Sequence, residues 1–338
     1  MKRYDALTGL RGWAVLLVLI AHTSNLGYSF FGLDFSGIGK NGVYLFFALS
    51  SYLLTIQLFG LYKSGDSSIN ILKYILKRFS RIYPLFVMTL LLFYIISTFV
   101  SPVYITSFDI LRDTILLNDG PGIFWTIAVE FKYYFLLPFI AGALYLLRAQ
   151  LLLVIVLVFL LCCILFTKSK GAQWELLYYL PLFLMSSVMA LVSVYGKRQV
   201  WDFTWFRILF FISLAWVFLT IPAMWSLVLH MPFHYQYFDL YFPVFCFTCP
   251  IVVYGIDRLN GSLEVFFKNR FMCHLGEISY SAYLVHMFVI YGAYYLGVAQ
   301  GATIFIVILA IILVLSNLVH AHFEKPVTAL LYRRVRDI

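Results

Sequence analysis

Residues 151–166 read LLLVIVLVFLLCCILF, an apolar run with no charge, no proline and no alternation of polar with apolar positions. A strand of an outer-membrane barrel alternates between a lipid face and a lumen face, whereas a helix crossing a bilayer needs about 20 mostly apolar residues in succession. The run therefore predicts a membrane-crossing helix over roughly 150–167. The surrounding chain has the same character: of its 338 residues 63% are hydrophobic and 12% charged, with a mean hydropathy of +0.93. An ordinary soluble domain is about half apolar and about a quarter charged, so a soluble globular protein is excluded. Ten prolines and 20 glycines are ordinary for this length, which excludes collagen-like and disordered chains as well.

Apolar runs bounded by charge recur at roughly 9–29, 42–62, 84–103, 124–146, 150–167, 174–195, 208–229, 239–256, 277–298 and 302–322. They predict an all-α, polytopic integral membrane helical bundle of about ten transmembrane helices. An even number of crossings puts both termini on one side. If that side is cytoplasmic, it collects 18 of the 24 basic residues: Lys2, Arg3, Lys63, Lys73, Lys77, Arg78, Arg81, Arg148, Lys197, Arg198, Arg207, Arg258, Lys268, Arg270, Lys325, Arg333, Arg334 and Arg336. The far side holds Lys40, Arg112, Lys168 and Lys170, while Arg11 and Lys132 fall at or within the membrane. Positive residues gather on the cytoplasmic side of membrane proteins, so the expected location is the cell inner (cytoplasmic) membrane with both termini cytoplasmic. The net charge of +9 is explained by helix flanks facing the lipid bilayer, and no nucleic-acid partner is expected.

No hydrophilic block is long enough for a second domain, so residues 1–338 are expected to form a single transmembrane domain. The longest polar segment, Lys63 to Tyr83, contains Ile69, Leu72, Ile75, Leu76 and Phe79 at helical spacing opposite Lys73, Lys77 and Arg81. It predicts a short helix over 63–83 lying on the cytoplasmic interface. The basic N-terminus leads into the first apolar run without a small-residue cleavage site and is read as a retained first helix. Cys162, Cys163, Cys246, Cys249 and Cys273 fall mostly in apolar runs, and Cys246 and Cys249 have no second pair or histidine at ligand spacing. Neither a disulfide nor a metal is expected.

Ionisable groups inside a crossing are costly and usually face a cavity or another helix. In LTGLRGWAVLLVLIAH, Arg11 and His22 are eleven residues apart, which returns them to nearly one helix face about 16 Å apart along the axis. They are either a cation and an imidazole of one site, or a snorkelling arginine and a histidine satisfied in the core. The second run, GVYLFFALSSYLL, offers Gly42, Ser50 and Ser51 for close helix packing. In KRFSRIYP, Arg78 and Arg81 share a helical face and suit either bidentate phosphate binding or anchoring to anionic headgroups. In FWTIAVEFKYYFLLP, Glu130 lies about one turn inside the far end with Thr126 and Tyr134 on its face, while Trp125 suits the interface. Glu130 can orient an imidazole or serve as a purely structural ion-pair partner. In LGEISYSAYLVHMF, Ser279, Tyr283 and His286 form a polar stripe that reads as cavity lining or as a core hydrogen-bond network. His230 and His234 lie in a proline-broken loop and are poor metal ligands; His320 and His322 are expected to be solvated at a helix end. Walker, GxSxG and HExxH patterns are absent.

Taken in order, these segments resemble the acyltransferase type 3 family, membrane O-acyltransferases of bacterial surface glycans and some small molecules. LTGLRGWAVLLVLIAH is similar to the family's first-helix motif of arginine, ten residues and histidine, and GVYLFFALSSYLL to its G-x-x-x-F-F-x-L-S-G-Y. KRFSRIYP resembles R-x-x-R-I-x-P, FWTIAVEFKYY resembles W-[ST]-L-x-x-E, LGEISYSAYLVH resembles S-Y-x-x-Y-L-x-H, and FEKP the terminal E-x-P. Thr8, Tyr44, Ser51 and the Phe131–Lys132 pair depart from the residues usual at those places, and the length matches the stand-alone form without a fused extracytoplasmic domain.

The resemblance implies acyl transfer, most often of acetyl, from cytoplasmic acyl-CoA to a hydroxyl of an extracytoplasmic acceptor such as a glycan or lipid-linked saccharide. It implies that Arg11, Arg78 and Arg81 bind the coenzyme A thioester, that His22 acts as general base or transient acyl carrier, and that Glu130 supports it. Trp125, Tyr283 and His286 are implied to bind substrate or line the acyl tunnel, and no metal is required. On composition alone a secondary transporter using the same His, Glu and Arg residues fits as well, as does a non-catalytic partner of a glycan-assembly complex.

Overall fold

The computed structural model describes residues 5–65, 67–99, 104–168, 175–196, 202–221 and 237–336, together with 223, 224, 227 and 230. Lys2, Arg3, Lys170, Lys197, Arg198 and His234 lie outside the described residues. Each of the ten apolar runs overlaps one helix: α1 (Ala6–Asn25), α2 (Gly39–Lys63), α3 (Ser67–Ser97), α5 (Trp125–Leu146), α6 (Leu151–Lys168), α7 (Leu176–Tyr195), α8 (Thr204–Leu219), α9 (Tyr237–Arg258), α11 (Arg270–Tyr295) and α12 (Ala302–Val319). The run at 208–229 extends some ten residues past the end of its helix, α8. Short helices α4 (Phe108–Ile115) and α10 (Ser262–Lys268) lie between them, and a π-helical turn, His320–Glu324, carries α12 into α13 (Lys325–Arg336). The fold is all-α and polytopic; among the described residues the one non-helical pairing is an isolated bridge between Phe30 and Leu33.

Among the described residues eight helices are long and apolar enough to cross a membrane. Of the other two, α8 has 16 residues, and the Tyr, Ser and His residues of α11 dilute its apolar character.

Residues 67–83 do not form a helix of their own. They are the first half of the 31-residue α3, which runs on through Pro84. A proline removes one backbone donor from an α-helix, and in membranes that loss is tolerated where neighbouring groups re-satisfy the freed carbonyl. The continuous helix carries Arg78 and Arg81 into its middle third.

Helix α1 sits at the centre and packs most extensively on α11 and then on α2. Asp5 caps it by accepting a hydrogen bond from the Thr8 amide at 2.7 Å. Two glycines permit the α1–α11 contact. A Cβ on Gly12 would strike the Met272 carbonyl, and one on Gly276 would strike that of Thr8. Small residues at such crossings bring backbones together where lipid offers no hydrophobic drive for association.

Buried hydroxyls tie the other helices together. Ser51 Oγ donates to the Phe183 carbonyl at 2.7 Å and lies 2.7 Å from Tyr133 Oη and 2.9 Å from Ser187 Oγ; Thr55 Oγ1 is also 2.9 Å from Ser187 Oγ. The Ser51 hydroxyl thus joins α2 to α5 and α7. One turn further on, Thr55 extends the same knot. Tyr52 reaches from α2 to α9, donating to Asp257 Oδ2 at 2.8 Å.

Candidate active site

A cavity of ≈ 270 Å³ opens between α1, α2, α3, α5 and α11. Arg11 enters it from α1, Arg78 and Arg81 from α3, Glu130 and Tyr134 from α5, and Ser279, Tyr280 and Tyr283 from α11. The three guanidinium groups expected to act together do share one space.

Glu130 is in that space too. Its Oε1 accepts hydrogen bonds from Ser50 Oγ at 2.5 Å and from the Tyr134 hydroxyl. Arg11 and Arg81 act on its charge through space, but neither is within ion-pair distance of it among the described residues. One carboxylate therefore faces three cations, and the cavity carries an excess of positive charge that an anion can neutralise.

The α3 arginines are held in different ways. Arg78 donates to Gln57 Oε1 across a long 3.4 Å contact, and its buried Nε has no hydrogen-bond partner. Beside Arg81, the Tyr280 hydroxyl donates to the Ile82 carbonyl at 2.6 Å and pins α11 to α3. A guanidinium with an unmatched donor in a cavity is suited to a planar acceptor such as a phosphate.

His22 lies beyond this cavity, three helical turns along α1 from Arg11. It does not pair with Glu130. Its ring faces that of His286, with centroids 5.1 Å apart and planes inclined at 50°. His286 is fully buried, and its Nδ1 lies 2.6 Å from the Tyr283 carbonyl. That contact makes Nδ1 the donor and leaves Nε2 as an acceptor, and this Nε2 has no hydrogen-bond partner.

Tyr283 links the two regions. It lines the cavity, donates to the Ile123 carbonyl at 2.7 Å, and accepts from Thr126 Oγ1 at 2.8 Å. The polar stripe on α11 thus divides, with Ser279 and Tyr283 at the cavity and His286 at His22. Trp125 stacks on Tyr179 with centroids 5.1 Å apart and meets Phe47 edge-on; it backs the cavity wall that Phe47 forms.

Ser50, Gln57, Tyr134 and Tyr280 are site residues that the pattern of the sequence did not single out for chemistry. Tyr134 alone carried a hint, four residues after Glu130 on one face. Glu324, the acid of FEKP, was also passed over: it is buried, accepts from Ser281 Oγ at 2.5 Å, and lies 3.0 Å from His320 Nδ1. His320 is consequently half-buried and engaged rather than simply solvated. Among the described residues no group of three or more His, Cys, Asp or Glu side chains is arranged to hold a metal ion, and the five cysteines are unpaired.

A family profile described as "Acyltransferase domain" matches residues 4–320, and the chain belongs to this acyltransferase type 3 family. It is similar to a protein of Acidianus two-tailed virus named "Putative acetyltransferase ORF330", with 23% identity over 297 residues, 85% of this chain and 83% of the viral protein. No solved structure matches the chain. The protein is a multi-pass membrane protein of an acyltransferase family.

Proposed function

We propose that the protein is a membrane O-acyltransferase that moves an acyl group, expected to be acetyl, from cytoplasmic acyl-CoA to a hydroxyl of an extracytoplasmic glycan or lipid-linked saccharide in the cytoplasmic membrane. One observation carries this reading: Arg11, Arg78 and Arg81 converge on a single cavity, and among the described residues none is ion-paired with a carboxylate. Coenzyme A is a polyanion, and guanidinium forks are the groups that hold phosphate oxygens bidentately.

With the donor's phosphates at the three arginines, the pantetheine arm runs along α1 past Tyr283 toward His22. The acceptor hydroxyl attacks the thioester carbonyl carbon there. A carbon–oxygen bond forms, the carbon–sulfur bond breaks, and the hydroxyl proton passes to the His22 imidazole and on to the departing thiolate. The products are the O-acyl ester and free CoA thiol. In this reading Glu130, held by Ser50 and Tyr134, keeps Arg11 and Arg81 oriented, while Trp125, Tyr283 and His286 wall the path of the acyl group.

The test follows free CoA thiol released from acetyl-CoA by purified protein in liposomes, with and without glycan acceptors, wild type beside His22→Ala. Acceptor-dependent release by wild type, absent in the variant, is expected. Folded wild-type protein that releases no thiol from any acyl-CoA would make the arginines part of a transport pathway instead.

A further inference from the structure

An open surface pocket lies where α13 meets α3 and is lined by Lys77, Ala329, Tyr332 and Arg333, of which Ala329 and Arg333 are exposed. Lys77 precedes Arg81 by four residues, so the two cations share one face of α3, about 6 Å apart. Arg81 serves the cavity and Lys77 the surface pocket. Among the described residues no ion pair or hydrogen bond engages the side chain of Lys77 or Arg333. The wall opposite α3 is anchored: α13 packs along α3, buries Val335, and starts from the π-turn whose Glu324 accepts from Ser281 on α11.

We propose that this pocket is a second anion subsite, which takes the ribose 3′-phosphate of the acyl donor while the diphosphate occupies the Arg11–Arg78–Arg81 cavity. The inference rests on the acyl-CoA reading above and adds a place for the donor's other charged group. Coenzyme A carries a diphosphate and a separate monophosphate on the ribose next to the adenine. Two cation clusters along one helix face match that division of charge, and Tyr332 supplies an aromatic face of the kind on which a nucleobase stacks. A phosphatidylglycerol headgroup shares the phosphate chemistry but has no base to set against Tyr332 and no second phosphate group to reach Arg81 from the same molecule.

The full-length protein is placed in nanodiscs of zwitterionic lipid, and binding of CoA and of 3′-dephospho-CoA is measured by calorimetry for wild type, Lys77→Ala/Arg333→Ala and the milder Arg333→Gln. Wild type is expected to bind CoA on the order of tenfold more tightly than dephospho-CoA. The double variant should bind both at the dephospho-CoA level, and Arg333→Gln should lose part of the difference. Equal binding of the two ligands by wild type overturns the subsite while leaving the donor reading intact, and so does a difference that survives in the double variant. Binding of neither ligand by folded wild type overturns the donor reading and the subsite together. A parallel measurement of co-purifying phosphatidylglycerol separates the two phosphate sources. Its loss in the double variant, with discrimination between CoA and dephospho-CoA unchanged, would make the pocket a headgroup site and overturn the proposal.

Discussion

Helices α6 and α1 are of similar length and opposite character. Helix α6 is apolar almost throughout, yet of its 18 residues it buries only Val154, Cys162 and Leu165 inside the protein. Helix α1 is interrupted by Thr8, Gly9, Arg11 and Gly12 in its first half and by His22 in its last turn, and it is buried along most of its length. The run that identifies the chain as a membrane protein is the one with least to do inside it. In a bilayer, hydrophobicity marks what faces lipid, whereas small and polar residues mark where helices touch and where a cavity is maintained.

That contrast is exposed to mutation, and the largest effect should come from the seam that centres α1. Gly276→Val drives a side chain into the Thr8 carbonyl and is expected to cost at least about 3 kcal/mol, read as loss of a monodisperse species in detergent and a lowered Tm. Next is His22→Ala, which should lower turnover about 10²–10⁴-fold with donor binding retained, measured by thiol release beside CoA calorimetry. Arg11→Ala should do the reverse, weakening CoA binding about tenfold to a hundredfold. Equal losses of both properties in the two variants would break the division of labour along α1. Arg81→Lys keeps the charge and loses the fork, so about a tenfold loss of CoA affinity is expected; unchanged affinity would return Arg81 to lipid anchoring. At the other extreme, Leu152→Ala on the exposed face of α6 should change Tm and turnover little, within about 0.5 kcal/mol of stability. A large effect there would show that α6 meets another protein rather than lipid.

The helices were legible because apolar runs bounded by charge are what a membrane selects. The ordered motifs also named Arg11, His22, Arg78, Arg81 and Glu130 before any contact was known. Placement in depth was harder. The sequence reading put Arg78 and Arg81 on a surface helix and Glu130 near the opposite face, but the continuous α3 and its neighbour α5 bring all three to a single cavity. A charged residue on a helix reads the same whether it points at water or at an internal cavity, and only the packing of other helices distinguishes the two. The partner of His22 was hidden for a related reason. Glu130 looked like its natural companion, but Ser50 and Tyr134 occupy the carboxylate while His286 faces the imidazole from α11. Ser50 itself looked like a packing residue, since a small hydroxyl in an apolar run suits close helix contact equally well. Glu324 was missed because the burial of the acid in FEKP depends on Ser281, 43 residues earlier in the chain.

Helix α1 is a single rod clamped at its glycines, so the separation of Arg11 from His22 does not change: eleven residues at 1.5 Å each, or about 16 Å. A rod of fixed length is a ruler. A molecule gripped by its charged end at Arg11 presents to His22 only the atoms that lie that far along it. If, as proposed, Arg11 holds the charged end of the donor and His22 meets its thioester, a shorter thiol arm would fall short of the imidazole and a longer one would overshoot it. One helix would then select the donor by reach, independently of what the acyl group is.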